Sequence, residues 1–428
     1  MPETRTAPTA RTVATPAPAP PATSAPPPTR EIWFAAWPVV AIFILSNAAM
    51  PLYAVWQRQL GFGSGTLTLI YAAYVVGLLG ALLVAGVASD RVGRKPVLVP
   101  ALLLGIVACL IYATAPSVAA LATARLLTGV ATGAAVSAGM AAVTDIAARV
   151  GTGVGPLLAS TGMVLGAGIG PVLAGVLSET VPAPTVTVFV VEAALLATAL
   201  AAVVRMPLPQ RRTGSGTGSG TRSSTGAATG SWVRLPAVPR ANRRHLALGL
   251  AAFAPGISAT AFVLSLGPSL LAGLLDTANR AVAGGMALAM FLAATGVQFA
   301  LRRLAVRTIL LTSGAATVAG TLALVTAVHT AALAPLVAAV ILAGAGQGAG
   351  QLGGLTLLSH EVPATRRAEA NAALNAGGYF LAGALPVADG YLGDAIGLPA
   401  AATAFGLAVA ALAAAGAALV AVRGADAR

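Results

Sequence analysis

Twelve apolar runs of about twenty residues, joined by short connections rich in Arg and Gly, constrain this 428-residue chain more than any other feature. A helix needs about 20 apolar residues to cross a bilayer core, and only helices or closed barrels satisfy their backbone groups there. The runs fall at about 32–54, 66–88, 97–115, 118–143, 155–178 and 185–204, then at about 246–270, 281–301, 308–328, 333–358, 370–392 and 398–422. Hydrophobic residues make up 57% of the chain and charged residues 9%, against roughly 25% charged in a soluble domain. The expected fold is an all-α membrane protein with 12 transmembrane helices in two pseudo-symmetric six-helix bundles.

Polar segments divide the chain. Residues 1–30 are Pro, Ala and Thr with three Arg and no apolar core, which reads as a disordered tail. Residues 31–204 form the first expected bundle and 245–422 the second. Between them, 205–244 hold eight Arg, no acid and the tract GSGTGSGTRSSTG, the composition of a flexible basic linker. Residues 423–428 are a short second tail. With a cytoplasmic amino terminus, about 22 of the Lys and Arg fall in cytoplasmic segments and only Arg58 and Arg280 in outer loops. The positive-inside rule therefore places both termini, both tails and the linker in the cytoplasm.

The net charge of +13 would suit a nucleic-acid binder, but the Arg residues lie between apolar runs and no basic stretch carries interleaved aromatics. Nucleic acid is not an expected partner. The lone Cys109 excludes an internal disulfide, and three scattered His exclude a His/Cys metal cage. No paired His and carboxylate, serine motif with a base, acidic ring or nucleotide-binding loop occurs, so no catalytic residue, metal, cofactor or ATP drive is expected. Of the 25 basic residues 24 are Arg, and Ala abounds, which suggests a GC-rich bacterial genome and hence a cytoplasmic (inner) membrane.

The two halves resemble each other at one offset. Gly129 and Gly133 in span four lie over Gly344 and Gly348 in span ten, 215 residues later. The same offset sets Pro171 and Gly175 in span five over Pro386 and Gly390 in span eleven. Such parallel repeats place a solute site at their interface.

Between spans two and three runs GVASDRVGRK, comprising Gly86, Asp90, Arg91, Gly93, Arg94 and Lys95. Gly86 is expected to permit close helix approach and Gly93 a tight turn. Asp90, held among three cations, can pair with them or cap a neighbouring helix in one conformer and release it in another. The positive-inside rule alone accounts for the cations but for neither Asp90 nor the glycines. This stretch resembles the signature loop of the major facilitator superfamily, and the resemblance covers about residues 31–422. It implies a charge relay between this loop and Asp145, which closes span four. The second-half counterpart, ending in Arg302 and Arg303, has lost the acid.

Arg125 lies about eight residues into span four, roughly 12 Å deep at 1.5 Å per residue. A charge at such depth is paired and functional by default, with snorkelling to the interface as the alternative. Arg125 with Gly129 and Gly133 is similar to the family's fourth-helix motif, which implies proton coupling, although Thr128 stands where the family usually shows Gln. Gly162, Gly166, Gly170, Pro171 and Gly175 in span five make a smooth, bendable face. They resemble the Gly-Pro motif of drug and proton antiporters, with Ala174 replacing one glycine, or serve generic packing. Glu192 in span six lies near the depth of Arg125 and could carry a proton to it, or face lipid; Asn47 lies at similar depth in span one. Gln298, Gln347, Gln351 and Asn375 could line a cavity or join helices. Asp389, near the outer end of span eleven, could be a gate or a solvated helix end.

The expected function is therefore secondary active transport by alternating access, with proton-coupled efflux of a small, partly apolar compound such as a drug or metabolite. The partners expected are the solute, protons and lipid, with a monomeric chain. The alternatives are a proton symporter importing a sugar or other metabolite, and a non-transporting membrane sensor.

Overall fold

The computed structural model describes residues 30–149, 155–206, 238–275 and 279–423. The expected tail at 1–30, apart from Arg30, and most of the expected linker at 205–244 lie outside these. Span one is broken: α1 (Arg30–Ala48) and α2 (Tyr53–Leu60) are joined through a 3₁₀ turn at Met50–Leu52. Pro51 lacks the N–H that would continue the α-helical ladder, so α1 ends there. Spans two and three are α3 (Ser64–Val92) and α4 (Lys95–Thr114). Span four comprises α5 (Val118–Ala134), a π-helical turn at Ala135–Gly139 and α6 (Met140–Arg149). Spans five and six are α7 (Gly155–Thr180) and α8 (Pro184–Arg205).

The second half repeats the plan with α9 (Arg243–Leu275), α10 (Arg280–Leu301), α11 (Val306–Thr330), α12 (Leu333–Glu361), α13 (Arg367–Ile396) and α14 (Leu398–Arg423). Eleven of the twelve spans are long and apolar enough to cross a membrane on those grounds alone. The remaining one, α13, is long enough at 30 residues but carries Glu369, Asn371, Asn375, Asp389 and Asp394. The chain is a multi-pass membrane protein. Its exposed surface is apolar, with Trp33, Phe34, Val76, Leu110, Val190, Phe380 and Val422 all outward, as lipid permits and water would penalise.

Helices α1 to α8 pack together and α9 to α14 pack together, while α3 meets α13 and α7 meets α10 across the two halves. Small residues decide these contacts. A Cβ on Gly129 would sit on the carbonyl of Tyr74, and one on Gly133 would lie 2.7 Å from that of Leu78, so α5 lies backbone to backbone on α3. The repeat performs the same contact: Gly344 and Gly348 of α12 lie against the carbonyls of Met290 and Ala294 of α10. The expected glycine face of α7 serves two neighbours. Gly162, Gly166 and Gly170 rest on α1 at Val40 and Ile44, while Gly168 and Gly175 turn to α10 at Leu288 and Arg280. Buried hydroxyls return to carbonyls, as Thr128 does to Ala124 at 2.8 Å and Ser313 does across helices to Gly346 at 2.8 Å.

Adding a side chain where two backbones touch costs about 1–3 kcal/mol or more. Gly170→Leu is thus expected to lower the thermal midpoint of the detergent-solubilised protein by several degrees. Gly296→Leu, at a position with open space around it, should leave the midpoint unchanged.

Candidate functional site

The connection between α3 and α4 is as tight as its sequence suggests. Gly93 adopts φ +101°, a conformation that side chains disfavour, and Lys95 begins the next helix at once. Arg94 then reaches back. Its Nη1 donates to Asp90 at 2.9 Å and to Ser89 at 2.8 Å, and its Nε to Asp145 of α6 at 3.3 Å. The expected link between the loop and Asp145 is present, with Arg94 as its centre. Lys95 donates to the carbonyl of Val204 at 3.0 Å, a cation at the carboxyl end of α8.

Beside this loop, α3 and α13 diverge. A cavity of about 550 Å³ opens between them, with Leu79, Leu82, Leu83, Gly86, Val87, Asp90 and Arg94 on one wall and Glu369, Asn371 and Asn375 on the other. Ser137 and Ala141 of span four complete it. Gly86 was expected to hold two helices close, yet a Cβ there would meet nothing within 4 Å. The gap on this side of α3 removes the contact that the small residue would permit. Asn375 lines the cavity, and its Oδ1, like that of Asn371, has no partner among the described residues. Glu369, which no motif in the sequence marks, lines it too and pairs with Arg366 at 2.7 Å.

At the opposite face the same helices close. Asp394, near the end of α13, accepts from the backbone N–H of Ser64 at 2.7 Å and Gly65 at 2.9 Å, capping the amino end of α3. Glu179, near the end of α7, accepts from the backbone N–H and the Nε of Arg280 at 2.9 Å each, capping the amino end of α10. Glu179 and Asp394 are 215 residues apart, as are Gly65 and Arg280, so one half copies the other. Close backbone contacts reinforce both pairs. Gly390 packs on Ser64 and Thr68, Gly175 on Arg280, and Gly284 on the carbonyl of Pro171.

Arg125 lies between the two faces and is fully buried. Its Nη1 donates to the carbonyl of Ser46 at 2.5 Å. That carbonyl belongs to the last turn of α1, where the break at Pro51 leaves acceptors without helical donors. The guanidinium carbon lies 4.8 Å from the ring centroid of Tyr74, 5.5 Å from Tyr71 and 5.9 Å from Tyr53. These aromatic faces offer partial compensation for a desolvated cation. Snorkelling is thereby excluded, since no part of the side chain reaches the surface.

Glu192 does not join Arg125. It is fully buried, but neither of its oxygens has a partner among the described residues. Its helix neighbour Phe189 stacks on Tyr112 of α4 at 4.5 Å, and Leu196 packs 3.1 Å from the Cβ position of Gly105. Glu192 therefore faces α4 rather than the cavity, because depth along a span leaves its rotation open. Asn47 bonds Ser46 and the carbonyl of Ala167. Gln347 and Gln351 bond each other at 3.3 Å, and Gln298 is half-buried on α10. Asp389, expected to be a gate or a solvated end, is only 4% exposed.

Two like halves of six membrane helices thus meet closely at one face and leave a cavity at the other. The chain belongs to the Major Facilitator Superfamily, whose sequence profile matches residues 32–385. It is a membrane transporter. Solved structures agree in fold. A substituted form of the nucleoside transporter NupG superposes with a TM-score of 0.73 at 14% identity, covering 91% of this chain and 99% of that one. A bacterial homolog of the human lysosomal transporter Spinster, inward-facing and occupied, gives 0.69 at 12% identity over 92% and 96%. No curated protein matches in sequence.

Each acid cap is worth on the order of 1 kcal/mol. Removing both by Glu179→Gln with Asp394→Asn is expected to speed maleimide labelling of a cysteine at Ala287, buried beside this closure, by about thirtyfold. Unchanged labelling would mean that the glycine contacts alone hold this face shut.

Proposed function

We propose that this transporter exports a small, partly apolar compound in exchange for protons, with the Asp90 face in the cytoplasm. The observation that carries the reading is the opposed state of the two ends of the α3–α13 pair: capped by Asp394 at one, separated by a cavity at the other. A site that faces one side while the other is sealed is what alternating access requires. The Arg-rich connections on the Asp90 side support a cytoplasmic assignment for that face. The cavity wall is mainly Leu, Val and Ala, which suits an apolar solute better than a sugar.

Proton drive rests on the buried carboxyls. Glu192 and Asp389 are sealed within the spans, and the first has no partner on either oxygen among the described residues, so both are groups able to take up and release a proton as the bundles move. Arg125 tunes the first bundle through α1 rather than by direct contact with Glu192. The likeness to a nucleoside transporter keeps import of a polar metabolite as the competing reading.

Everted vesicles with an acid lumen test the direction and the coupling together. Adding lipophilic cations, antibiotics, organic acids, sugars or nucleosides one at a time should collapse the gradient only for a partly apolar compound. Asp90→Asn should insert normally yet lose most of this response. Glu192→Gln or Asp389→Asn should abolish it, whichever carries the proton. A response to nucleosides or sugars alone would make import the better reading.

A further inference from the structure

The two walls of the cavity differ in chemistry. On α3 the wall is one helical stripe, Leu79, Leu82, Leu83, Gly86 and Val87, and it is apolar. On α13 Ala368, Ala372 and Ala376 recur every fourth residue, and Asn371 and Asn375 run beside them on the same side of the helix. The alanines leave the space, and the asparagines supply its polarity. Ser137, from the π-helical turn of span four, adds a hydroxyl to the lining.

Asn371 and Asn375 lie about 6 Å apart along the axis at 1.5 Å per residue. The Oδ1 of each is buried with no partner among the described residues. An unpaired buried acceptor is destabilising, and two of them stand on this one wall. A half-turn of the last side-chain torsion exchanges oxygen and nitrogen, so each carboxamide can offer the cavity an acceptor or a donor. The charged groups of the lining are satisfied elsewhere: Asp90 pairs with Arg94 at 2.9 Å, and Glu369 with Arg366 at 2.7 Å. What the cavity leaves open is therefore a pair of neutral carboxamides opposite an aliphatic wall.

We infer that these two carboxamides bind the amide edge of the transported solute, so that the substrate class is a neutral primary carboxamide on a flat apolar ring. The inference rests on the transporter reading above and gives its partly apolar solute a head group. An amide presents N–H and C=O side by side, and a carboxamide is its complement, so one asparagine takes both. The remaining N–H of the solute goes to the other asparagine. The ring lies against Leu79, Leu82, Leu83 and Val87. A carboxylate would bring an unpaired charge beside Asp90 and Glu369, and an ammonium would find both acids already paired, so neither replaces the amide.

The test uses the full chain in lipid nanodiscs and one ring system with different head groups: 2-naphthamide, its N,N-dimethyl amide, methyl 2-naphthoate, 2-naphthoate and 2-naphthylmethylamine. Saturable thermal stabilisation by 2-naphthamide is expected, with binding about tenfold weaker for the dimethyl amide and the ester, which lack the N–H donors. Asn371→Leu and Asn375→Leu should each weaken the amide by about tenfold and leave the ester unchanged, a difference that altered packing alone would not give. Without ligand both variants should melt no lower than the parent, because each removes an unpaired buried oxygen. The inference is overturned if all the compounds stabilise alike, if the acid or the amine stabilises most, or if 2-naphthamide has no effect up to its solubility. It is equally overturned if either variant without ligand melts several degrees lower, as loss of a structural clasp would. Gradient collapse in vesicles by lipophilic cations alone, with the amide inert and unbound, would uphold proton-coupled export and reject the carboxamide. Binding of the amide with no gradient response would uphold the site and reject the coupling to protons.

Discussion

Helices in lipid gain little by hiding apolar side chains from one another, because the lipid tails are equally apolar. What holds them is the distance to which their backbones can approach. In this protein that distance is set by glycines standing opposite carbonyls: Gly129 over Tyr74, Gly170 over Ile44, Gly344 over Met290 and Gly348 over Ala294. The same device works between the halves, where Gly175, Gly284 and Gly390 let α7 meet α10 and α13 meet α3. Packing within each bundle and closure between bundles thus rely on one kind of contact. They differ in reinforcement, since the contacts between halves also carry acid caps.

The first bundle is organised around a charge. Span one breaks at Pro51, α1 ends at Ala48, and Arg125 takes the Ser46 carbonyl in its last turn. Tyr53 follows the break directly, and Tyr71 and Tyr74 bring α3 to the other sides of the guanidinium. Three spans therefore converge on one cation. Near Tyr53, Trp56 stacks with Tyr112 and Phe189 at 5.7 and 5.9 Å, tying α2 to α4 and α8. A helix break that would be a defect in isolation becomes the means by which a buried arginine is solvated.

Much of this is legible in the residues. Twelve spans follow from the length of the apolar runs, and the turn at Gly93 and the link from the loop to Asp145 follow from a short motif. The repeat offset is visible in Gly129, Pro171 and their partners, and the same offset of 215 pairs Glu179 with Asp394. The tyrosine cage is not legible, because its members come from two spans with no spacing relation to Arg125. Rotation about a helix axis is equally hidden. Spans that are apolar all round give no hydrophobic stripe to orient them, so the residues set the depth of Glu192 near that of Arg125 but leave its neighbours open. Gly86 shows a further limit, since a residue suited to close contact can face an open gap in one conformer.

The π-helical turn at Ala135–Gly139 sits between Arg125 and Asp145. Such a turn inserts one residue into an α-helix, and one residue corresponds to a rotation of about 100°. The direction in which Asp145 points, measured against Arg125, is therefore fixed by a single-residue insertion. Deleting one residue there would restore a regular helix while swinging Asp145 away from Arg94. Span four is in this sense two shafts joined by a coupling with its own angular setting, and the buried cation and the charge relay can be indexed separately within one membrane crossing.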